Sequence, residues 1–339
     1  LLNLLSIKIA IKQKNIHFGN FYIMMNNHRS FICGIKGKYL TQNEISFLKK
    51  YKPWGIILFS RNLKNFNQIK NLINHIRKIF KDNNYPIMID QEGGKVNRLN
   101  QFISLDNFTS EYFGNLFIKN NKEFNIVFNL FVDTTSHLLS NLGININTVP
   151  VLDLSYKKTS NVIGNRSYSK NPKIVSKIGD ICIKRFKKNS IATVIKHIPG
   201  HGLAKVDSHY FTPYINKSLN YLKKNDFKAF ELKNSLFAMT AHIIFKKIDP
   251  INTVTHSEKM IKIIRNQIKF KNILISDDIS MKSLKYSIKQ NTIKAFKAGC
   301  NLVLHCNGNF KEMCIVGDNS PKVSSFILKK TSEFYKNIS

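Results

Sequence analysis

Acidic residues are scarce in this chain: 20 Asp and Glu stand against 53 Lys and Arg, a formal net charge of +33. Such an excess can serve nucleic acid or another anionic surface. The lysines, however, are interleaved with Asn and Ile through every segment and never concentrate in one basic tail. Lys, Asn, Ile and Phe are the residues that AT-rich codons supply, so codon drift is a sufficient cause, with a selected polyanion-binding surface as the alternative. Cysteine is also sparse. Cys33, Cys182, Cys300, Cys306 and Cys314 are odd in number, widely spread and form no CxxC pair, which argues against a disulfide frame or a structural zinc site and for a reducing compartment. No long apolar run is present. Leu1–Ala10 is broken by Asn3 and Lys8, too short for a membrane span and poor as a signal peptide. No Pro/Gly/Ser-rich linker and no internal repeat divides the chain, which therefore reads as one domain.

The first residues lack Met and a small-residue cleavage site, and Met24-Met25 stands just before the first strand-like run. Translation is expected to start at Met24 or Met25, leaving 1–23 as a non-native or disordered extension and 24–339 as the domain. The intact mass of the native protein distinguishes the two starts.

What the chain does have is core: 43% apolar and 11% aromatic residues exclude general disorder. From residue 30 onward, short β-branched and aromatic runs alternate with helical patterns. Strands are expected at Ser30–Ile35, Trp54–Phe59, Tyr85–Asp90, Ile146–Leu152, Ala192–His197, Leu236–Ala241, Ile273–Asp277 and Asn301–His305. Each is a near-continuous apolar run, as parallel strands buried on both faces require. Helical spacing links Phe66, Ile69, Leu72, Ile73, Ile76 and Phe80. It also links Phe124, Val127, Leu130, Phe131 and Leu138; Ile174, Ile178, Ile181 and Cys182; and Met260, Ile261, Ile264 and Ile268. Thr41 with Glu44 makes a capping box, and Gly299 suits a left-handed helix end. Eight βα units in about 310 residues predict a single-domain (β/α)8 TIM barrel, with a doubly wound open sheet as the competing arrangement.

In a barrel the site is built where strands end. Here those ends carry Asp90-Gln91-Glu92-Gly93-Gly94, Lys196-His197-Ile198-Pro199-Gly200-His201-Gly202, His242 and Ser276-Asp277-Asp278. One such residue can simply cap a helix; four ends converging on one face are more than caps. A metal site is one option, with His197, His201, Asp207 and His209 as ligands. Against it, no His-X-His lies on the first strand and Lys196 adjoins the ligands. The other option is carboxylate nucleophilic catalysis on a sugar, which needs an ionised acid beneath the anomeric carbon and a proton donor within reach. Asp277 supplies the first. His209, with Asp207 two residues before it, supplies the second, because an imidazole can donate and then accept the same proton.

Lys196–Gly202 followed by Asp207-Ser208-His209 resembles the signature of the bacterial β-N-acetylhexosaminidases of glycoside hydrolase family 3. So do Asp90–Arg98, Ile163-Gly164-Asn165-Arg166-Ser167-Tyr168 and Ser276–Met281. The resemblance runs from about Ser30 to Asn307, in the family's order and spacing, and thins beyond. It implies that Asp277 is the nucleophile of a covalent glycosyl–enzyme intermediate, His209 the acid/base and Asp207 its orienting carboxylate. It also implies that Asp90, Arg98, Arg166, Lys196 and His197 hold the hydroxyls of N-acetylglucosamine. Two departures, Lys95 for the usual Arg and Ile198 for the common Phe, lie outside that set.

Other polar residues have plainer readings. Asp278 is expected to cap or support, Glu92 to hydrogen-bond nearby backbone and His201 to shape its Gly-rich turn; His242 either lines the pocket or satisfies a strand end. The resemblance further implies a cytoplasmic, cofactor-free enzyme of peptidoglycan recycling. It would release N-acetylglucosamine from its β-1,4 linkage to anhydro-N-acetylmuramic acid, with or without peptide, acting as a monomer with neither membrane nor nucleic acid as partner. Two rivals stand beside it: a phosphorylase using the same site, and an idle barrel that binds polyanions.

Overall fold

A computed structural model describes residues 25–157, 159 and 162–338; the expected 1–23 extension and Met24 lie outside the described residues. Eight parallel strands close into a barrel in chain order: β1 (Arg29–Gly34), β2 (Pro53–Leu58), β3 (Ile87–Ile89), β4 (Ile146–Asn147), β5 (Ala192–Ile198), β6 (Phe237–Thr240), β7 (Ile273–Asp278) and β8 (Leu302–His305). Closure comes from β1 pairing β8, with Phe31 opposite Val303 and Cys33 opposite His305. The open-sheet alternative is thereby overturned. Outside the barrel, Tyr214–Ile215 and Ile244–Phe245 form a small parallel pair over the β5 and β6 exits.

Two strands are shorter than their apolar runs. The ladder of β3 begins at Ile87 because Pro86 has no N–H to give, although its carbonyl still accepts from Ile56 at 3.0 Å. The run Ile146–Leu152 contains Pro150, so β4 stops at Asn147 and only an isolated Val151–Lys196 bridge follows.

Helices surround the sheet. α1 (Gln42–Tyr51) opens on the expected box: the Glu44 amide donates to Thr41 Oγ1 at 3.2 Å, and the Thr41 amide to Glu44 Oε2 at 2.9 Å. α2 (Phe66–Phe80) buries Ile69, Leu72, Ile73 and Ile76 as its spacing predicts. α3 (Ser110–Lys119) and α4 (Asn121–Leu142) follow β3. The expected α4 stripe is corrected: Leu130 is 65% exposed, while Phe124, Phe128, Val132, Leu139 and Leu142 face the core. α5 (Pro172–Lys188) buries Ile178 and Cys182, and Val175, Ile183 and Phe186 more fully than Ile174 or Ile181. After α6 (Leu219–Lys224) and α7 (Asp226–Phe230), α8 (Glu258–Asn266) buries Met260, Ile261 and Ile264. α9 (Ile288–Ala298) ends on Gly299 at φ 113°, a left-handed cap as expected.

α10 (Phe310–Asn319) precedes the last helix, α11 (Ser325–Ile338), which closes the end of the barrel where the strands begin. Trp54 donates its indole N–H to Thr331 Oγ1 at 2.9 Å, and Phe334 meets the rings of Trp54 and Phe237 edge-on or tilted. Barrel interior and α11 thus share one apolar cluster, while the surrounding helices and the outer sheet face share the other. With one mouth closed by α11, the opposite mouth is left for chemistry.

Candidate active site

The free mouth opens into a cavity of about 180 Å³ among the C-terminal ends of the strands. Asp90, Arg98, Arg166, Lys196, His197, His209 and Asp277 all line it. Asp207 stands behind His209, its Oδ1 2.7 Å from His209 Nδ1 and 2.8 Å from the His209 amide that donates to it. Every residue singled out from the sequence is therefore in the cavity or in contact with a residue that is.

One wall is an ion network. Arg98 donates to Asp90 Oδ2 at 3.0 Å, and Lys196 pairs with Asp90 and, at 2.6 Å, with Glu92. Arg166 grips Glu92 with two parallel bonds of 2.8 and 2.7 Å, the fork geometry that suits a guanidinium to a carboxylate. Glu92 therefore does not serve nearby backbone with its carboxylate, as its sequence context suggested; it ties two cations together, because Gly93 and Gly94 turn the chain and leave its side chain in the wall. Burial alone would raise the Asp90 carboxyl. Lys196, then Arg98 and Arg166, outweigh burial and hold it well below the carboxylate range. Burial likewise opposes ionisation of Glu92, and Arg166 and Lys196 outweigh it. Such a wall presents fixed donors and acceptors to a polyhydroxylated ligand without rearrangement.

His197 is held from behind. Asp153, fully buried, meets His197 Nδ1 at 2.7 Å and accepts from the amides of His197 and His201, the latter at 2.6 Å. Lys196 and His197 are consecutive, yet both reach the cavity, and the β5–β6 register slips between Ile195 and Ile198. Gly202 lets this turn pass close to the 153–156 segment: a side chain there would run into the Leu154 carbonyl. Asp153 and Thr148, which contacts both Asp90 and Lys196, were not singled out from the sequence. An acid directly after the apolar run Val149–Leu152 is the same signal that drew attention to Asp90.

Asp277 sits near the end of β7, partly open to the cavity, with the Asp278 amide donating to its Oδ1 at 2.8 Å. Burial would raise its carboxyl, but His242 and His197, the Asp278 amide and His209 together bring it below its ordinary value. Asp278 accepts from the Ser280 amide at 3.0 Å and the Cys306 amide at 3.1 Å, so it holds the turn after β7 and the exit of β8. His242 satisfies its strand end: Nδ1 meets Thr255 Oγ1 at 2.7 Å and Nε2 the Asp278 carbonyl at 2.9 Å. His209 is the open residue of the set, its side chain 62% exposed. For Asp207, burial works upward, and the bonds from the His209 amide and imidazole outweigh it, so the carboxylate stays ionised beside the ring.

The histidines weighed as metal ligands have separate partners: His197 has Asp153, His201 has Ser208 and His209 has Asp207. Among the described residues no three His, Cys, Asp or Glu side chains gather as a metal-holding group, and no helix is long and apolar enough to cross a membrane.

Residues 30–320 match the glycosyl hydrolase family 3 N terminal domain. The chain is 34% identical over 286 residues to a β-hexosaminidase of Actinobacillus pleuropneumoniae, covering 81% of this chain and 80% of that one. It is 32% identical over 286 residues to a β-hexosaminidase of Neisseria meningitidis, covering 79% and 75%. Its fold is similar to that of NagZ from Neisseria gonorrhoeae in complex with N-trifluoroacetyl-D-glucosamine, at TM-score 0.82 and 28% identity, over 91% of this chain and 90% of that one. This chain belongs to glycosyl hydrolase family 3, as a glycoside hydrolase of the β-N-acetylhexosaminidase group.

Proposed function

We propose that the protein is a retaining exo-β-N-acetylglucosaminidase that hydrolyses terminal β-1,4-linked N-acetylglucosamine from anhydro-muropeptides in peptidoglycan recycling. One observation carries the reading: an ionised Asp277 and an Asp207-backed His209 share a single cavity with the Asp90–Lys196–Glu92–Arg166 network. The likeness to a protein complexed with N-trifluoroacetyl-D-glucosamine supports an N-acylated sugar. The muropeptide aglycone rests on the family resemblance of the four motifs, as do a monomeric state and a cytoplasmic location. The location is also consistent with five unpaired cysteines.

In the first step the imidazolium of His209 gives its Nε2 proton to the glycosidic oxygen while Asp277 attacks the anomeric carbon. The C–O bond to the aglycone breaks, its electron pair leaves with the protonated alcohol, and a glycosyl ester to Asp277 forms. The now neutral imidazole then takes a proton from water, whose oxygen attacks the anomeric carbon and returns Asp277 as a carboxylate. Two inversions give net retention. Asp207 fixes the ring through Nδ1–H and so leaves Nε2 to give and then take the proton. Asp90, Arg98, Arg166, Lys196 and His197 hold the ring hydroxyls while positive charge develops at the anomeric carbon.

Hydrolysis of a chromogenic β-N-acetylglucosaminide tests this. Asp277→Ala should abolish turnover. His209→Ala should lose about 100-fold or more on a poor leaving group and much less on a nitrophenyl leaving group, which needs little protonation. Wild-type activity in Asp277→Ala would end the proposal. In phosphate buffer the product should be free sugar; sugar 1-phosphate as the main product would assign the phosphorylase alternative instead.

A further inference from the structure

Residues 203–212 carry the acid/base on a long connection between β5 and β6, so something must set how deep His209 sits. Val206, Tyr210 and Phe211 are exposed along this segment. The Asp207–His209 contact lies within it and aims the ring without anchoring the segment. Among the described residues, two side-chain hydrogen bonds tie 203–212 to the rest of the protein: Thr212 Oγ1 to the Ser283 carbonyl at 2.7 Å, at the far end, and Ser208 Oγ to His201 Nε2, 3.0 Å apart, directly beside His209. Both ends of the second are buried, Ser208 at 3% and His201 at 2% exposure, and both line the cavity. His201 is in turn fixed by its amide bond to Asp153, the same carboxylate that holds His197, and its ring lies edge-on to the His197 ring.

We infer that His201 and Ser208 form a latch that positions the acid/base: through it, the Asp153 anchor beneath the sugar-binding His197 also sets where His209 stands. The inference rests on the proposed roles of Asp277 and His209 and adds two positioning residues to them. Burial, then the neighbouring His197, push the His201 imidazole down to about 4, so at neutral pH it is uncharged and the latch is a neutral hydrogen bond.

A latch has a signature that general structural support lacks. Its loss should hurt proton donation and spare the attack by Asp277. In Ser208→Ala, kcat/KM on an alkyl β-N-acetylglucosaminide should fall by about 3- to 10-fold more than on the nitrophenyl substrate, the scale of one net hydrogen bond. That extra loss should lie in kcat, with KM little changed. His201→Gln should reproduce the same split from the other side, and Ser208→Thr, which keeps the hydroxyl, should recover most of it. In a His209→Ala background, Ser208→Ala should add no further leaving-group dependence, because the group it positions is gone. Equal losses on both substrates, or an undiminished effect of Ser208→Ala in that background, would overturn the latch while leaving Asp277 and His209 in their roles. Full activity of Asp277→Ala would instead remove the reading beneath it.

Discussion

Asp226 is a buried carboxyl with only one oxygen served. Tyr156 donates to its Oδ2 at 2.9 Å, Oδ1 has no partner, and Gly200 of the β5 turn packs against its Cβ. Burial, with a smaller push from Asp153, raises its pKa from 3.8 to about 7. The unfolded chain releases this proton near 3.8 and the folded one near 7, so between those values the folded state binds more protons and stability falls as pH rises. Asp226→Asn removes the ionisation while keeping an acceptor for Tyr156. The variant should therefore match the wild type near pH 4 and be the more stable by on the order of 4 kcal/mol at pH 8. Denaturant unfolding at both values checks it; a stability difference independent of pH would show that Asp226 is ionised in the folded protein.

At the scale of elements, the sequence is most legible where periodicity and chemistry agree. α2 has its apolar stripe, the Thr41 box and the Gly299 cap appear where residue types demand them, and β5 and β7 run to their polar ends. The misses have local causes. Pro86 and Pro150 lack the N–H that would extend β3 and β4, so apolar runs outlast their ladders. The candidate site was legible at the acids and bases that end β3, β5 and β7, but not at Asp153 after the β4 run, and illegible where a partner comes from far along the chain: nothing near Glu92 in sequence announces Arg166 or Lys196. In α4 several apolar side chains lie on more than one face, so spacing alone did not fix the buried one. The structure does, through Phe128 packed among Phe113, Phe124 and Phe131. Phe128→Ala should cost about 3–5 kcal/mol and Leu130→Ser under about 0.5 kcal/mol, by thermal or urea unfolding. Comparable losses would mean that α4 presents the other face.

For the whole molecule, the two mouths of the barrel divide stability from chemistry. The motifs stop at Asn307 and the match to the family 3 domain ends at residue 320, yet the last helix beyond both seals the barrel. α11 brings Phe334 against Trp54 and Phe237, and Ile327 and Leu328 into the same cluster as the barrel's inward side chains. Its amphipathic spacing carries no catalytic residue, which is why motif-based reasoning passes over it. Phe334 is fully buried and lies at the strand starts, whereas Asp277 and His209 stand at the strand ends. Truncating it leaves a void in an apolar cluster without touching the cavity, so Phe334→Ala should lower stability by about 3–5 kcal/mol. At temperatures where the variant remains folded, kcat and KM on the nitrophenyl substrate should stay within about twofold of wild type, since a change so far from the reacting atoms alters neither binding nor proton transfer. A large loss of kcat in the folded variant would show that the sealed end communicates with the open one, and that the barrel interior transmits packing changes along its whole length.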